Sequence, residues 1–333
     1  MKIIIPMAGV GKRMRPHTLT VPKPLIPVAG KPIVQWLVED LIKVCKEKVT
    51  DVAFVIGDFG KEAEKNLLNI AETLGAQGSI YYQDEPLGTA HAILCAKDAL
   101  KGKVIVAFAD TLFRADFTMD EEKDGIIWVS KIADPKMFGV VKVNPDNIIT
   151  DFVEKPQTFI SDLAIIGIYY FKDGDYLRNE MQFLVDNKLM EKGEFQLTNA
   201  LDNMRKKGTR FVPGKVTEWL DCGNKDATVY TNKRVLELHK EENLVASGHT
   251  NENSVIIQPC FIGEGVHLVN SVIGPHASVG ANSRIENSVI TNSIIQTHAV
   301  VINAVIDNSM IGNFTEYRNT PEQLSLGDYS THS

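Results

Sequence analysis

Cysteine is scarce: four in 333 residues, and Cys45, Cys95, Cys222 and Cys260 lie far apart. That spacing excludes a paired-cysteine zinc site and the dense framework of a disulfide-stapled domain. Reduced thiols in a cytoplasmic protein are the expectation. No apolar run approaches the roughly 18 residues of a membrane-spanning helix. The run Ile3-Ile4-Ile5 behind Met1-Lys2 is too short for a signal peptide. Positive charge is short as well, with 35 Lys and Arg against 42 Asp and Glu and a net charge of −7. General nucleic-acid binding needs clustered Lys and Arg against phosphate and is not expected, whereas a small phosphorylated ligand needs only a local basic cluster. The Gly-Lys-Ser/Thr frame of a Walker A loop is missing, as is the three-glycine dinucleotide fingerprint, so the ATPase and dehydrogenase readings are weak.

The rest of the composition is that of a folded chain of about two domains, 44% apolar and 23% charged. Strand and helix signals alternate through the first hundred residues. Strands are expected at 2–5, 52–56, 80–82 and 103–108, and helices at 32–45, 61–74 and 88–100. Such alternation predicts a largely parallel sheet covered on both faces. Further strands are expected at 125–132, 138–143, 148–152, 164–171, 209–212 and 216–219, with helices at 175–187 and 196–206. A long helix at 224–240 is expected to close a first domain spanning 1–240.

After a linker at 241–249 the periodicity changes. Apolar residues recur at Ile256, Ile262, Leu268, Ile273, Val279, Ile285, Ile290, Ile295, Val301, Ile306 and Ile311, always five or six apart, with Asn frequent between them. Each short strand would contribute one inward aliphatic, and three strands would close a triangular coil. A left-handed parallel β-helix of about three and a half coils is therefore expected over 250–313, with a tail from 314 to 333. Val255, Val272, Val289, Ile294, Val300 and Val305 sit beside the inward positions and would face outward. That much outward aliphatic surface predicts that part of it buries against the first domain or the helix near 224–240 and that the remainder meets another copy, hence a homo-oligomer.

Between the first strand and the first helix runs Ala8-Gly9-Val10-Gly11-Lys12-Arg13-Met14-Arg15-Pro16. Gly9 and Gly11 permit a tight turn and close approach, consecutive N–H groups can cradle phosphate oxygens, and three basic residues add charge. Together with Pro22-Lys23-Pro24-Leu25-Ile26-Pro27-Val28, this string resembles the signature of the sugar-phosphate nucleotidyltransferases. That family includes glucose-1-phosphate thymidylyl- and uridylyltransferases and mannose-1-phosphate guanylyltransferases. Ala8 stands where the family usually has its first glycine, and Met14 where it has leucine. The resemblance implies a Rossmann-like mixed-sheet nucleotidyltransferase domain. It implies that Arg13 holds the triphosphate with Ala8, Gly9 and Gly11, and that Lys23 reaches the reacting phosphates.

Gln83-Asp84-Glu85-Pro86-Leu87-Gly88-Thr89-Ala90 resembles the family's base-recognition segment, with Gln83 reading a pyrimidine edge and the base lying on Gly88. Asp110 follows an apolar strand, where open α/β sheets place ligands. Asp221 follows another strand in Glu218-Trp219-Leu220-Asp221-Cys222-Gly223. Carboxylates are hard ligands suited to Mg²⁺ with substrate phosphates completing its shell, and both match the family's metal aspartates. Glu154-Lys155-Pro156 resembles the motif that holds the sugar hydroxyls and the sugar phosphate. Gly139, Tyr169, Glu194 and Trp219 fall in segments like those lining the family's sugar pocket, with Thr198 nearby.

The reaction so implied joins a pyrimidine triphosphate, dTTP or UTP, to a hexose-1-phosphate, by default glucose-1-phosphate. Arg13, Lys23, Asp110, Lys155 and Asp221 are the catalytic set, with Mg²⁺ as cofactor. Guanylyl transfer to mannose-1-phosphate is the runner-up. Acyl transfer in the β-helix, with His267, His276 or His298 as base, is a second class of function.

Overall fold

A computed structural model of the protein describes residues 1–116, 118–320 and 323–331. Contacts group the chain into two units, Met1–Ile26 with Pro32–Gly223, and Pro27–Lys31 with Asn224–Ser333.

The strands in chain order are β1 (Lys2–Pro6), β2 (Pro27–Val28), β3 (Lys31–Pro32), β4 (Asp51–Ile56), β5 (Gln77–Tyr82), β6 (Val104–Ala107) and β7 (Thr111–Arg114). They continue with β8 (Gly125–Lys131), β9 (Val140–Val143), β10 (Ile149–Val153), β11 (Leu163–Phe171), β12 (Phe211–Lys215) and β13 (Glu218–Asp221). The helices are α1 (Ile33–Val44), α2 (Gly60–Thr73), α3 (Thr89–Cys95), α4 (Gly174–Asp186), α5 (Leu197–Lys206) and α6 (Lys225–Leu238).

The main sheet of the first unit runs β10-β9-β11-β6-β1-β4-β5, with β8 on β11 and β12 on β8. β1 lies between β4 and β6, and these strands and β5 are parallel. Ile3, Ile4 and Ile5 are fully buried, because a central parallel strand is covered on both faces; this explains its unbroken apolar run. α1 buries Ile33, Trp36, Leu37 and Leu41, the face that their spacing marks out. β1, β4 and β6 end side by side, so the loops that follow them meet along one edge. Two features depart from expectation. α3 stops at Cys95, and residues 96–100 fold as successive tight turns through Ala99 N–Ala96 O and Leu100 N–Lys97 O bonds. β7 and β13 form a separate two-stranded antiparallel sheet, and β7 carries too short an apolar pattern to stand out.

The second unit is built from three parallel sheets of five, four and four strands, the arrangement of a left-handed β-helix. The inward residues Ile262, Leu268, Ile273, Val279, Ile285, Ile290 and Val301 are completely buried. One corner is a column of asparagines, Asn253, Asn270, Asn287 and Asn303, all left-handed at φ 51°, 47°, 47° and 56°. Each amide donates to the next, at 3.0, 3.2 and 3.2 Å, and Asn303 donates to Asn319 O at 3.4 Å. Asparagine tolerates this backbone hand better than other side chains, which accounts for its frequency in the repeat.

The coil is longer than its sequence period indicates. Val245 bridges to Ile262 at its start, and Glu316–Arg318 pairs with Val300–Ile302 as a fifth strand. Part of the expected tail is thus coil; its residues 321–322 and 332–333 lie outside the described ones. α6, placed by sequence at the end of the first domain, groups with the coil. Its fully buried Asn232 accepts from Ala29 N at 2.9 Å and from Ser278 Oγ at 2.7 Å, and donates to His276 O at 3.3 Å. Ile294 shares the outward row of Ser278 and is buried, as expected of the part that packs on the long helix, since Asn232 of α6 bonds Ser278 in that row. Val255, Val289 and Val305 are exposed as expected, while Val272 and Val300 are half-buried.

Among the described residues no helix is long and apolar enough to cross a membrane. All four cysteines are free thiols, and burial pushes Cys45 up to about 12 and Cys260 up to about 11. Neither is poised as a nucleophile.

Asn287→Ala is expected to lower unfolding free energy by about 1 kcal/mol more than Asn287→Gly, because glycine keeps the left-handed corner at no steric cost. Urea melts of the two variants measure this. Equal losses would mean that the amide column, not the backbone hand, fixes the corner.

Candidate active site

The loop after β1 carries the basic residues. Gly11 is left-handed at φ 59° and opens a short turn over Lys12–Met14. Thr18 Oγ1 donates to its carbonyl at 2.9 Å, as does Met14 N. A side chain at Gly9 would meet nothing within 4 Å, so packing does not demand glycine there; the space beside it belongs to the site. A cavity of ≈ 330 Å³ is lined by Gly9, Gly11, Lys12, Arg13, Lys23 and Asp110 among others. A second, of ≈ 260 Å³, takes in Ala8, Gln83, Gly88, Thr89 and Glu194. Both are walled by Pro6, Met7, Gly9 and Phe108, so they are adjoining.

The two aspartates are brought together by main-chain pairing. β13 runs antiparallel to β7 with Asp221 opposite Thr111, and Cys222 N donates to Asp110 O at 2.9 Å. Lys23 Nζ lies 2.8 Å from Asp110 Oδ2, with its side chain only 10% exposed. A Cβ on Gly223 would stand 2.9 Å from both Asp221 oxygens and 3.1 Å from Arg13 Nη2. A side chain there would have to displace the Asp221 carboxylate and the Arg13 guanidinium from their present positions. Burial, and then the charge of Asp110, raise the Asp221 carboxyl above its ordinary value, against the pull of Lys23, the Gly223 N–H and Arg13.

Along the second cavity, Gly88 has φ 110°, and a Cβ there would fall 2.6 Å from Phe195 O. The segment is pinned to its neighbour by Phe195 N–Leu87 O at 2.8 Å, Ala90 N–Phe195 O at 2.9 Å and Leu197 N–Thr89 Oγ1 at 2.9 Å. Glu194 arrives through this pairing. It lies with Gln83 and Gly88 and accepts from Gln196 Nε2 at 2.8 Å, apart from the cluster around Gly139.

That cluster forms where β9, β10, β11 and α5 meet. A Cβ on Gly139 would stand 3.1 Å from Glu154 Oε2, 3.3 Å from Ile165 Cδ1 and 3.6 Å from Thr198 Cγ2. Lys155 lies 3.5 Å from Glu154 Oε1, with the lysine half-exposed and the glutamate largely covered. Tyr169 is buried, and burial with the nearby Glu154 charge pushes its hydroxyl pKa up. Its ring meets Phe108 edge-on at 6.2 Å, so Phe108 joins this cluster to both cavities. Trp219 packs edge-on against Phe138 at 5.0 Å. Trp219 Nε1 and Thr198 Oγ1 are buried without a partner. Such groups destabilise a fold by about 1–3 kcal/mol each, and a ligand can satisfy them. Phe108 and Gly223 were missed in the sequence; the Asp-Cys-Gly string was the available signal for Gly223.

The sheet is mixed rather than largely parallel, since β11 runs antiparallel to β6, β8 and β9. Its parallel part carries the basic glycine loop after β1 and Asp110 after β6, with Asp221 brought alongside by β13, an arrangement suited to a nucleotide-handling α/β enzyme. The chain belongs to the nucleotidyl transferase family, which matches residues 2–237, and it is a nucleotidyltransferase. Over 315 residues it is 28% identical to the low-salt glycan biosynthesis nucleotidyltransferase Agl11 of Haloferax volcanii, covering 86% of this chain and 85% of that one. It is 30% identical to a glucose-1-phosphate thymidylyltransferase of Streptomyces antibioticus, with the same coverage of 86% and 85%. In structure it is similar to a UDP-glucose pyrophosphorylase complexed with UDP-glucose, at a TM-score of 0.59 and 24% identity, over 71% of this chain and 98% of that one.

Because the folded Asp221 carboxyl lies above its unfolded value, it costs stability at neutral pH, and this cost vanishes as pH falls below the unfolded value. Asp221→Asn is therefore expected to melt higher than wild type at pH 7 and to lose that advantage near pH 3. Calorimetry at both pH values measures this; a lower melting point at pH 7 would contradict the sign.

Proposed function

We propose that the enzyme transfers the nucleotidyl group of a pyrimidine triphosphate, dTTP or UTP, to a hexose-1-phosphate, by preference glucose-1-phosphate, releasing pyrophosphate. The observation that carries this is the convergence of Asp110, Arg13 and Lys23 on one cavity, with the Asp221 carboxylate beside its lining residues Arg13 and Gly223, and a second, adjoining cavity holding Gln83 and Gly88. The named substrates of the relatives favour the same reading.

The donor set fits Mg²⁺. Among the described residues no group of three or more His, Cys, Asp or Glu forms a metal cage, and two carboxylates with open space for phosphates are what Mg²⁺ ordinarily takes. Burial and then the Asp110 charge disfavour the ionised Asp221 carboxyl, and a cation between the two carboxylates would favour it. Asp110 and Asp221 would hold the ion, which supplies charge neutralisation at the reacting phosphates. The protein does the rest by alignment. The attacking sugar-phosphate oxygen is already an anion, so no strong general base is needed. It attacks the α-phosphorus, and the bond to pyrophosphate breaks. Arg13 and Lys23 balance charge on the triphosphate, Lys155 orients the attacking phosphate, and Glu154 with the orphan Thr198 and Trp219 groups takes sugar hydroxyls.

Mannose-1-phosphate with GTP is the alternative pair. Acyl transfer in the coil is disfavoured, since each candidate base has a structural partner. His267 bonds Thr250 at 2.7 Å, His276 lies 3.2 Å from Glu237, and His298 stacks on Phe314 at 4.7 Å. We assign the coil to assembly instead, with its exposed Val255, Val289 and Val305 meeting another copy of the chain.

Pyrophosphate release across a matrix of triphosphates and sugar phosphates is expected to peak with a pyrimidine triphosphate and glucose-1-phosphate and to require a divalent cation. Asp110→Ala and Asp221→Ala are expected to lower the rate at least about 10²-fold. Undiminished rates in both would remove the assignment, and a preference for GTP would favour the alternative. Light scattering is expected to give at least twice the chain mass; a monomer at micromolar concentration would overturn the assembly role.

A further inference from the structure

Gln83 Nε2 donates to Gly88 O at 3.3 Å and lies 3.2 Å from His91 Nδ1. A carbonyl oxygen only accepts, so the end of the Gln83 amide facing Gly88 is its NH₂. That NH₂ only donates, so His91 Nδ1 accepts and the ring proton sits on Nε2. Both N–H groups of Gln83 are then engaged within the protein. What Gln83 retains is Oε1, an acceptor, at the cavity it lines with Ala8, Gly9 and Gly88.

We propose that His91 is a positioning residue that sets base specificity: by holding the Gln83 amide nitrogen it presents Oε1 to the base. The site then takes bases that carry a ring N–H at the reading edge, uracil, thymine or guanine. It rejects cytosine and adenine, whose corresponding ring nitrogen is a bare acceptor. This rests on the reading that Gln83 faces the base. With cytosine or adenine, two lone pairs would meet in a partly desolvated cavity, and turning the amide to offer Nε2 would break both of its bonds. His91 itself is held in place. It lies in the first turn of α3, whose Ala90 N bonds Phe195 O at 2.9 Å and whose Thr89 Oγ1 accepts from Leu197 N at 2.9 Å.

The test compares wild type, His91→Leu, His91→Asn and Gln83→Leu by pyrophosphate release with UTP, dTTP, GTP, CTP and ATP. Wild type is expected to use only triphosphates from the ring N–H class. His91→Leu is expected to lower the preference for UTP over CTP about tenfold, through KM for the triphosphate, with KM for the sugar phosphate unchanged. His91→Asn places its Oδ1 where Nδ1 stood and is expected to restore the preference. Gln83→Leu is expected to abolish it. Loss in Gln83→Leu with none in His91→Leu overturns the role of His91 and leaves Gln83 as the base reader. No change in Gln83→Leu overturns the base reading and the proposal with it. Equal loss in His91→Leu and His91→Asn makes His91 merely structural and also overturns the proposal.

Discussion

The antiparallel pairing of β7 with β13 holds Asp110 and Asp221 side by side, and the rest of the site answers to the charge this concentrates. Left alone, two adjacent carboxylates repel, and the Asp221 carboxyl is raised first by its burial and then by the Asp110 charge. Lys23 comes in from one side at 2.8 Å from Asp110, and Arg13 from the other beside Asp221 and Gly223. The arrangement is tolerable without ligand and incomplete without it. On the proposed function, a fold that keeps such a pair accepts lower stability in return for complementarity to phosphate and cation.

Glycines mark where backbone must come close to something else. At Gly223 the neighbours are the Arg13 and Asp221 side chains, at Gly88 the backbone of Phe195, and at Gly139 the carboxylate of Glu154. Each would put a Cβ within about 3 Å of a group that the site uses or is built on. Gly9 is the contrast, with open space around it. The coil solves a different problem, turning a short strand at every corner, and it does so with left-handed asparagines whose amides bond to one another.

Much of this was legible in the sequence because it rests on local pattern. The isoleucine run of β1, the spaced apolar face of α1 and the five-or-six-residue repeat of the coil each follow from a period that the backbone imposes. The basic loop and the two aspartates were legible through the strings around them. What stayed hidden depends on distant partners. β7 is defined by β13, more than a hundred residues away. α6 has an ordinary helical sequence, and what ties it to the coil is distant in the chain: Asn232 bonds His276 and Ser278, Lys225 bonds Asn308 O, and Glu237 pairs with His276. Phe108 and His91 have no local motif; their roles come from contacts with Tyr169 and Gln83.

The ladder-enforced carboxylate pair is proposed as a cation site completed by nucleotide phosphates. Binding of Mn²⁺ by the intact enzyme, followed by electron paramagnetic resonance with and without UTP, tests it most directly. The account predicts that the nucleotide strengthens Mn²⁺ binding in wild type and that Asp221→Asn weakens the ternary complex at least about tenfold. Equal Mn²⁺ affinity in wild type and variant, with UTP present, would contradict it.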